Sequence, residues 1–279
     1  MAIIRRDPIS GRLVSIAPGR ANRPGAGRAL IEPVTQAELD ECPFCAGRED
    51  RTPPETLRLG DGPTGWGVRV VPNLYPALER QEVVVHSAEH KRSFADLTDD
   101  EIEWVEGAWL ERARAGLEDG FSYPFPLINE GRTAGSSLPH SHSQIAFLRE
   151  PPPAAQSRRD PRAVEEILDR DDLVFAEDNL SLAAVHPAGR VPYEVIIGGT
   201  DYLGAELRLL RLFVQKLRAL EGPVPWNAWL YDLYQGEGRP GYMEVVPRLT
   251  VLAGLELGAG VYVNSLDPIE AAARLRAVR

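Results

Sequence analysis

Residues 135–147 read GSSLPHSHSQIAF, from Gly135 to Phe147, and place two of the chain's five histidines two positions apart, with a glutamine two positions further on. Along a strand, side chains alternate between faces with period two, so His140, His142 and Gln144 would all point the same way. A strand is the natural reading, because Gln-Ile-Ala-Phe carries the apolar alternation while the Gly-Ser-Ser-Leu-Pro stretch before it is turn-forming. One face of this strand would gather two imidazoles and an amide.

Working outward, short runs rich in β-branched and aromatic residues fall on both sides of two helical patterns. GVRVV, EVVVH, FPLIN and SQIAFL lie in the first half of the chain; LSLAAV, YEVIIG, AWLYDLY and YMEVV lie in the second. Thr98 and Glu101 have capping-box spacing, and Ile102, Val105, Trp109, Ala113 and Leu117 then recur with helical period, which predicts a helix over 99–118. Leu203, Leu207, Leu210, Val214 and Leu217 predict a second over 202–220. Asp267-Pro268 opens a third that runs to the C-terminus, and Asp160-Pro161 opens a short one over 161–169. Each half thus reads as two strands, a long helix and two strands. The expected fold is α+β, two fused units that each pair an antiparallel sheet with a long helix. Pro151-Pro-Pro153 and the polar segment to Asp160 can extend neither strand nor helix, so the units are expected to span 1–155 and 156–279.

The 279 residues are enough for one large domain or two moderate ones, and 43% hydrophobic content is ordinary for a globular protein. A net charge of −10 argues against general binding of nucleic acid or anionic membrane, which would require a surplus of lysine and arginine. No apolar run approaches the roughly 20 residues needed to span a bilayer, and MAIIRRDPISG lacks the apolar core of a secretory signal. A cytoplasmic location is therefore expected.

Cys42 and Cys45, the only cysteines, form a CxxC. Two thiolates are half of a tetrahedral metal site, and with no second CxxC any further ligands would have to be histidines, drawn from positions 86, 90, 140, 142 and 186. A reduced or redox-active pair without metal reads equally well from spacing. His140, His142 and Gln144 allow a similar choice: hydrogen-bonded histidines near a strand end, or a nucleophile. A neutral imidazole can attack phosphorus when an acceptor holds its other nitrogen, while Gln144 could bind a phosphate oxygen without repelling it. Gly131 and Gly135 would bring backbone N–H groups close, and Ser136 or Ser137 would add a hydroxyl. Arg20 and Arg23 sit three apart in a Pro/Gly-rich loop. Lone arginines usually stay solvated, but two together can fork a phosphate.

Taken in order, RDPISGRLVSIAPGRANRP, CPFCAG, VVPNLYPAL, VVVHSAEHKRSFADLT and NEGRTAGSSLPHSHSQI resemble the galactose-1-phosphate uridylyltransferase family of the histidine-triad superfamily, nearly end to end. The C-terminal EVVPRLTVLAGLELGAGVYVN is similar to a bacterial and plant branch that includes ADP-glucose phosphorylase. The resemblance implies two fused histidine-triad-like units and nucleotidyl transfer through a covalent histidine. By it, the nucleophile falls on His142, its second ring nitrogen donating to a nearby backbone carbonyl, and the phosphate-holding glutamine on Gln144. The zinc ligands fall on Cys42, Cys45, His90 and His140, with iron as an alternative occupant. Nucleotide contacts fall on Arg20, Arg23, Asn73, Tyr75, Asn129 and Ser137. His86 and His186 match no family site and read as structural or exposed.

Residues 239–244 carry no counterpart of the second histidine cluster common in the family, so chemistry is expected in the first unit only. The second unit is expected to shape the acceptor pocket through Gly254 to Asn264, across a homodimer interface as in relatives. Three activities remain open: UDP-glucose:hexose-1-phosphate uridylyltransferase; phosphorylase of ADP-glucose or a dinucleoside polyphosphate with inorganic phosphate as acceptor; and a non-catalytic, zinc-stabilised nucleotide-binding protein. The expected partners are accordingly a nucleotide sugar with a sugar phosphate or inorganic phosphate.

Overall fold

The computed structural model describes every residue except 1, 23–29, 63, 158–161, 180, 200–202, 234–240 and 279. Thirteen strands are present among the described residues: β1 (Ile3–Arg6), β2 (Leu13–Ile16), β3 (Leu57–Leu59), β4 (Val68–Pro72), β5 (Arg80–Val85), β6 (Tyr123–Glu130), β7 (His142–Leu148), β8 (Val174–Asp178), β9 (Ser181–Val185), β10 (Val195–Gly198), β11 (Trp226–Tyr231), β12 (Tyr242–Pro247) and β13 (Val261–Asn264). The α-helices are α1 (Gln36–Glu41), α2 (Asp99–Glu118), α3 (Pro153–Gln156), α4 (Ala163–Leu168), α5 (Leu203–Glu221), α6 (Gly254–Ala259) and α7 (Pro268–Ala277). The long helices and the eight expected strands stand where the sequence patterns put them. The Asp160-Pro161 opening of the fourth expected helix lies outside the described residues.

Ten strands form one antiparallel sheet in the order β3-β4-β5-β7-β6-β11-β12-β10-β9-β8. Strands β4-β5-β7-β6 followed by β11-β12-β10-β9 are the same sequence of connections met from opposite ends. The repeated unit is therefore related by a pseudo-twofold through the β6–β11 seam, where Leu127 faces Trp229. The two units share one sheet, so no open edge separates them.

Helices α2 and α5 pack on one face of this sheet and on each other. Helix α2 starts with a complete capping box: Thr98 Oγ1 accepts from the Glu101 N–H and Glu101 Oε2 accepts from the Thr98 N–H at 2.7 Å. Such a cap is worth about 1 kcal/mol. Its buried stripe of Ile102, Val105 and Trp109 meets Val84, Ile145 and Phe147 of the sheet, while Leu207, Leu210, Phe213 and Leu217 of α5 meet Val195, Ala228 and Val245. The opposite sheet face is covered differently in each half. Over the first half lies the turn of Cys42, Phe44 and Cys45, packed on Val71, Val83 and Val85; over the second lie α3 and α4, with Ala155, Ile167 and Leu168 packed on Ala184 and Ile196.

The sequence reading did not foresee the edge strands β3 and β8, nor the small sheet β1-β2-β13, in which β13 runs parallel to β2. That sheet carries the N-terminal hairpin onto the second half of the chain. Arg5 donates to the Pro187 carbonyl at 2.8 Å, and Asn264 holds the carbonyls of Gly189 and Val191. No helix among the described residues is long and apolar enough to cross a membrane.

Gly116 shows how tightly α2 sits on the strand that carries the candidate site. A Cβ there would stand 2.4 Å from the Phe147 ring on β7. An exposed helical glycine gains about 1 kcal/mol on replacement by alanine, whereas overpacking a core costs about 1–3 kcal/mol. Gly116→Ala should therefore lower the denaturation free energy by up to about 2 kcal/mol; a gain measured by chemical denaturation would show that this contact is looser than described.

Candidate functional site

Strand β7 presents His142 and Gln144 on the face away from the helices. The alternation is confirmed by Ser143, whose hydroxyl accepts from Trp109 Nε1 of α2 at 2.8 Å on the other face. The residues before the strand are pinned by backbone bonds: the Ser141 N–H donates to the Lys91 carbonyl at 2.6 Å, and the His86 N–H to the Ser141 carbonyl at 3.2 Å. His86 is fully buried below them, its Nδ1 3.0 Å from the Ser141 hydroxyl. His186 is equally buried, accepting from the Ala188 N–H beside Asp7. Both are structural.

The side chains of Cys42, Cys45, His90 and His140 converge, with ligand atoms all within 4.8 Å of one another. Nδ1 of His140 lies 3.4 Å from Cys42 Sγ and 3.8 Å from Cys45 Sγ, and Nδ1 of His90 lies 3.3 Å from Cys45 Sγ. A tetrahedral cation with metal–sulfur bonds of about 2.3 Å and metal–nitrogen bonds of about 2.0–2.1 Å requires sulfur and nitrogen about 3.5 Å apart. The cluster therefore fits a four-coordinate ion. Each histidine's other nitrogen is also committed: His140 Nε2–H donates to the Ser87 carbonyl at 2.9 Å and His90 Nε2–H to Glu38 at 2.8 Å, which leaves both Nδ1 lone pairs directed at the sulfurs. Burial, together with neighbouring Cys42, pushes the Cys45 thiol up to about 12, and burial pushes His140 down to about 3. A buried thiol packed against a buried neutral imidazole is a poor way to fill such a space, and a cation resolves it by taking the sulfurs as thiolates.

His142 has the opposite tautomer. Its Nδ1 lies 2.7 Å from the carbonyl oxygen of His140, so Nδ1 carries the proton and Nε2 keeps its lone pair. The ring is 6% exposed, and burial lowers its pKa against the pull of that carbonyl, so it is neutral at pH 7. Phe44, inside the CxxC turn, meets both rings edge-on, with centroids 5.9 Å from His140 and 5.5 Å from His142. Metal turn and candidate nucleophile are thus packed as one unit.

Gln144 is oriented by its neighbours. Its Oε1 accepts from Gln81 Nε2 and, at 3.5 Å, from Asn73 Nδ2, which leaves its own Nε2 as a donor. Gln81 is itself held by the Ala77 N–H at 3.0 Å. Asn129 and His142 line one shallow hollow with Gly131, Ser136 and Leu138. The other described residues expected to bind nucleotide do not line it. Tyr75 is exposed, next to Asn73, and Ser137 is exposed on the loop before β7. Arg20 lies exposed in the 3-10 turn Pro18–Asn22 directly after β2, and Arg23 lies outside the described residues.

The loop glycines act differently from expectation. Gly131 and Gly135 have φ of 87° and 94°, as a tight turn requires. The Gly135 N–H, however, donates to the Arg132 carbonyl, and the Ser136 hydroxyl to the Leu138 carbonyl. These groups fold the loop onto itself, and Ser137 is left as its outward hydroxyl.

In the second half, β10 pairs Gly198 with Tyr242 and Ile196 with Glu244, where β5 pairs Val85 with His142 and Val83 with Gln144. The pseudo-twofold thus puts β12 in the place of β7, and on the corresponding face, away from the long helices, β12 carries Tyr242 and Glu244. Glu244 is held by Arg190 at 2.7 Å, and Arg190 also binds Glu194. An internal ion pair occupies this position, and the described residues offer neither nucleophile nor second metal cluster there.

Four contributors to the site escaped the sequence reading: Glu38 and the Ser87 carbonyl, which set the metal-facing tautomers; Gln81, which orients Gln144; and Asn227 of β11, whose Nδ2 donates to Asn129 Oδ1 and to the Ala134 carbonyl, each at 2.7 Å.

The chain resembles the galactose-1-phosphate uridylyltransferase family, whose members are nucleotidyltransferases and phosphorylases. The resemblance is direct: residues 76–150 match the family model for galactose-1-phosphate uridyl transferase, N-terminal domain. ADP-glucose phosphorylase of Arabidopsis thaliana is 29% identical over an alignment of 327 residues, covering 99% of this chain and 92% of that protein. A galactose-1-phosphate uridylyltransferase of Streptomyces lividans is 31% identical over 147 residues, covering 51% of this chain and 36% of that one. Among solved structures, an ADP-glucose phosphorylase from Arabidopsis thaliana with bound ADP-glucose superposes with a TM-score of 0.82 at 25% identity over all of both chains, and a uridylyltransferase with 0.70 at 25% identity over 99% of this chain and 98% of that one.

Because Glu38 fixes the ring of His90, Glu38→Ala should weaken metal binding about 10- to 100-fold, as loss of a carboxylate behind a ligating histidine does. Competition with a chelator of known affinity measures this. An unchanged affinity would mean that the Glu38–His90 bond does not orient the ligand.

Proposed function

We propose that the protein transfers a nucleoside monophosphate from a nucleoside-diphosphate sugar to a phosphate acceptor through a covalent intermediate on His142. The observation that carries this reading is the Nδ1–H bond to the His140 carbonyl, which leaves Nε2 of a neutral, buried ring as a nucleophile. In the first step the Nε2 lone pair attacks the α-phosphorus and the bond to the bridging oxygen breaks, its electron pair leaving with the sugar 1-phosphate. In the second, an oxygen of the acceptor phosphate attacks the phosphoramidate, the N–P bond breaks and the pair returns to Nε2. The Nδ1 proton stays in place throughout. Gln144 Nε2, Asn129 and Ser137 would donate to the phosphoryl oxygens, and Arg20 and Arg23 would neutralise their charge. Asn73 would act by holding Gln144, and Tyr75 beside it would contact the nucleotide.

For donor and acceptor we favour ADP-glucose and inorganic phosphate. Likeness to a plant ADP-glucose phosphorylase extends over 99% of the chain, whereas the uridylyltransferase of Streptomyces lividans matches 51% of it. The second reading, UDP-glucose with a hexose 1-phosphate, draws on the family model that covers residues 76–150. We assign zinc to the Cys2His2 cluster in a structural role, since four protein ligands leave no position for water, with iron as the alternative occupant. Chemistry would reside in the unit of residues 1–155. The unit of 156–279 would help shape the acceptor pocket through 254–264 in a homodimer, where Leu255 and Leu257 of α6 are exposed. Two free thiols suit a reducing, cytoplasmic setting.

The test is a panel of ADP-, UDP- and GDP-sugars, each with phosphate or a hexose 1-phosphate as acceptor, combined with acid-quench trapping of label on the protein. ADP-glucose with phosphate should give the highest kcat/KM, and His142→Ala should lose at least about 1,000-fold in rate and all label. Full activity in His142→Ala would end the covalent reading. Binding of nucleotide sugar without turnover of any pair would instead indicate a nucleotide-binding protein.

A further inference from the structure

Asn227 belongs to the half of the sheet without the histidine pair, yet both hydrogen bonds of its Nδ2 reach into the other half. One goes to Asn129 Oδ1 and one to the Ala134 carbonyl, each at 2.7 Å. The strand register makes this pairing direct: β11 opposes β6 across the seam with Asn227 facing Asn129, two positions from the Leu127–Trp229 level, with Ala228 facing Ile128 between. Ala134 lies on the loop between Gly131 and Gly135 that enters the strand of His142.

The chemistry of an amide gives this contact a consequence. A carboxamide has one accepting and one donating end, and which end faces a ligand depends on its neighbours. With Asn129 Oδ1 engaged by Asn227, the NH2 of Asn129 is the end left for the hollow it shares with His142. Gln144 is set the same way from the other side, where Gln81 and Asn73 occupy its Oε1. Both amides flanking the candidate nucleophile are thus turned donor-outward by a second amide, as an anionic phosphoryl group requires. For Gln144 the orienting amides come from the same unit; for Asn129 the orienting amide comes from the other one.

We propose that Asn227 is a positioning residue of the nucleotidyl site: it fixes the donor-outward orientation of Asn129 and anchors the 131–135 loop, so that the second half of the chain contributes to phosphate recognition across the seam. This rests on the nucleotidyl-transfer reading. No residue other than an amide of this length supplies two donors to two oxygens at this point. Aspartate, nearly isosteric, presents two oxygens to the two oxygens that Asn227 now bridges, which forces Asn129 to turn its NH2 inward.

The test is isothermal titration of the full metal-loaded chain with AMP and with UMP, comparing Asn227→Asp, Asn129→Ala and the double variant, with thermal melts of each. Asn227→Asp should weaken binding of the nucleotide that the wild type prefers by at least about 10-fold, the range for a hydrogen bond to a charged group. In the Asn129→Ala background the same change should cost clearly less than in the wild type, the remaining loss being that of the anchor on Ala134. Asn227→Leu, which removes the donors without adding a carboxylate, should fall between wild type and Asn227→Asp and serves if the aspartate variant does not fold. Unchanged affinity in Asn227→Asp, or an equal loss with and without Asn129, overturns the inference while leaving the nucleotidyl-transfer reading intact. If the wild type binds neither nucleotide, that reading fails and takes this inference with it.

Discussion

The site depends on two backbone carbonyls, those of Ser87 and His140, each of which accepts from one imidazole. Ser87 takes the Nε2 proton of His140 and so points Nδ1 at the thiols; His140 takes the Nδ1 proton of His142 and so frees Nε2. The two histidines of one His-x-His thereby have opposite tautomers, one suited to hold a cation and the other to attack phosphorus. Neither side chain could select its tautomer alone. The division of labour is imposed by where the backbone puts its oxygens.

That backbone is held on every side. Ser141 between the histidines exchanges hydrogen bonds with Lys91 and His86, and Lys91 in turn pairs with Glu101 at 2.6 Å, the residue that closes the cap of α2. The strand itself is central in a ten-stranded sheet, paired with β5 on one side and β6 on the other. The CxxC turn closes over its outer face with Phe44 against both rings. A cation in the cluster would therefore lock the turn, the His140 carbonyl and the ring of His142 together, which gives a structural ion influence over catalysis without contact with substrate. The second half does without such an ion. On the face that in the first half carries His142 and Gln144 it has a carboxylate, Glu244, neutralised by Arg190, a guanidinium that also satisfies Glu194. A buried charge network of this kind suits a unit that supports the sheet and the seam.

Much of this was legible in the chain because it is local. The Thr98–Glu101 cap, the stripe from Ile102 to Leu217 through both long helices and the period-two alternation of His142 and Gln144 are short-range patterns, and their elements formed as read, except that His140 stands just before the strand, which begins at His142. The ligand set of Cys42, Cys45, His90 and His140 was accessible through family resemblance, since spacing alone left a metal-free pair open. What stayed hidden depends on register between distant strands. Gln81 meets Gln144 across 63 residues and Asn227 meets Asn129 across 98, and no periodicity encodes such partners. The β13–β2 pairing joins the two ends of the chain and was hidden for the same reason. The loop glycines misled because the residue type signals a turn, while the destination of the freed N–H groups is decided only by folding.

The most direct measurement is nitrogen-15 NMR of the histidine side chains in the metal-loaded protein at pH 7, with His142 assigned by substitution. The account predicts a neutral His142 protonated at Nδ1, with Nε2 bare, and a titration displaced below the ordinary 6.5 because burial disfavours the cation. A ring protonated at Nε2, or an imidazolium at pH 7, would contradict it.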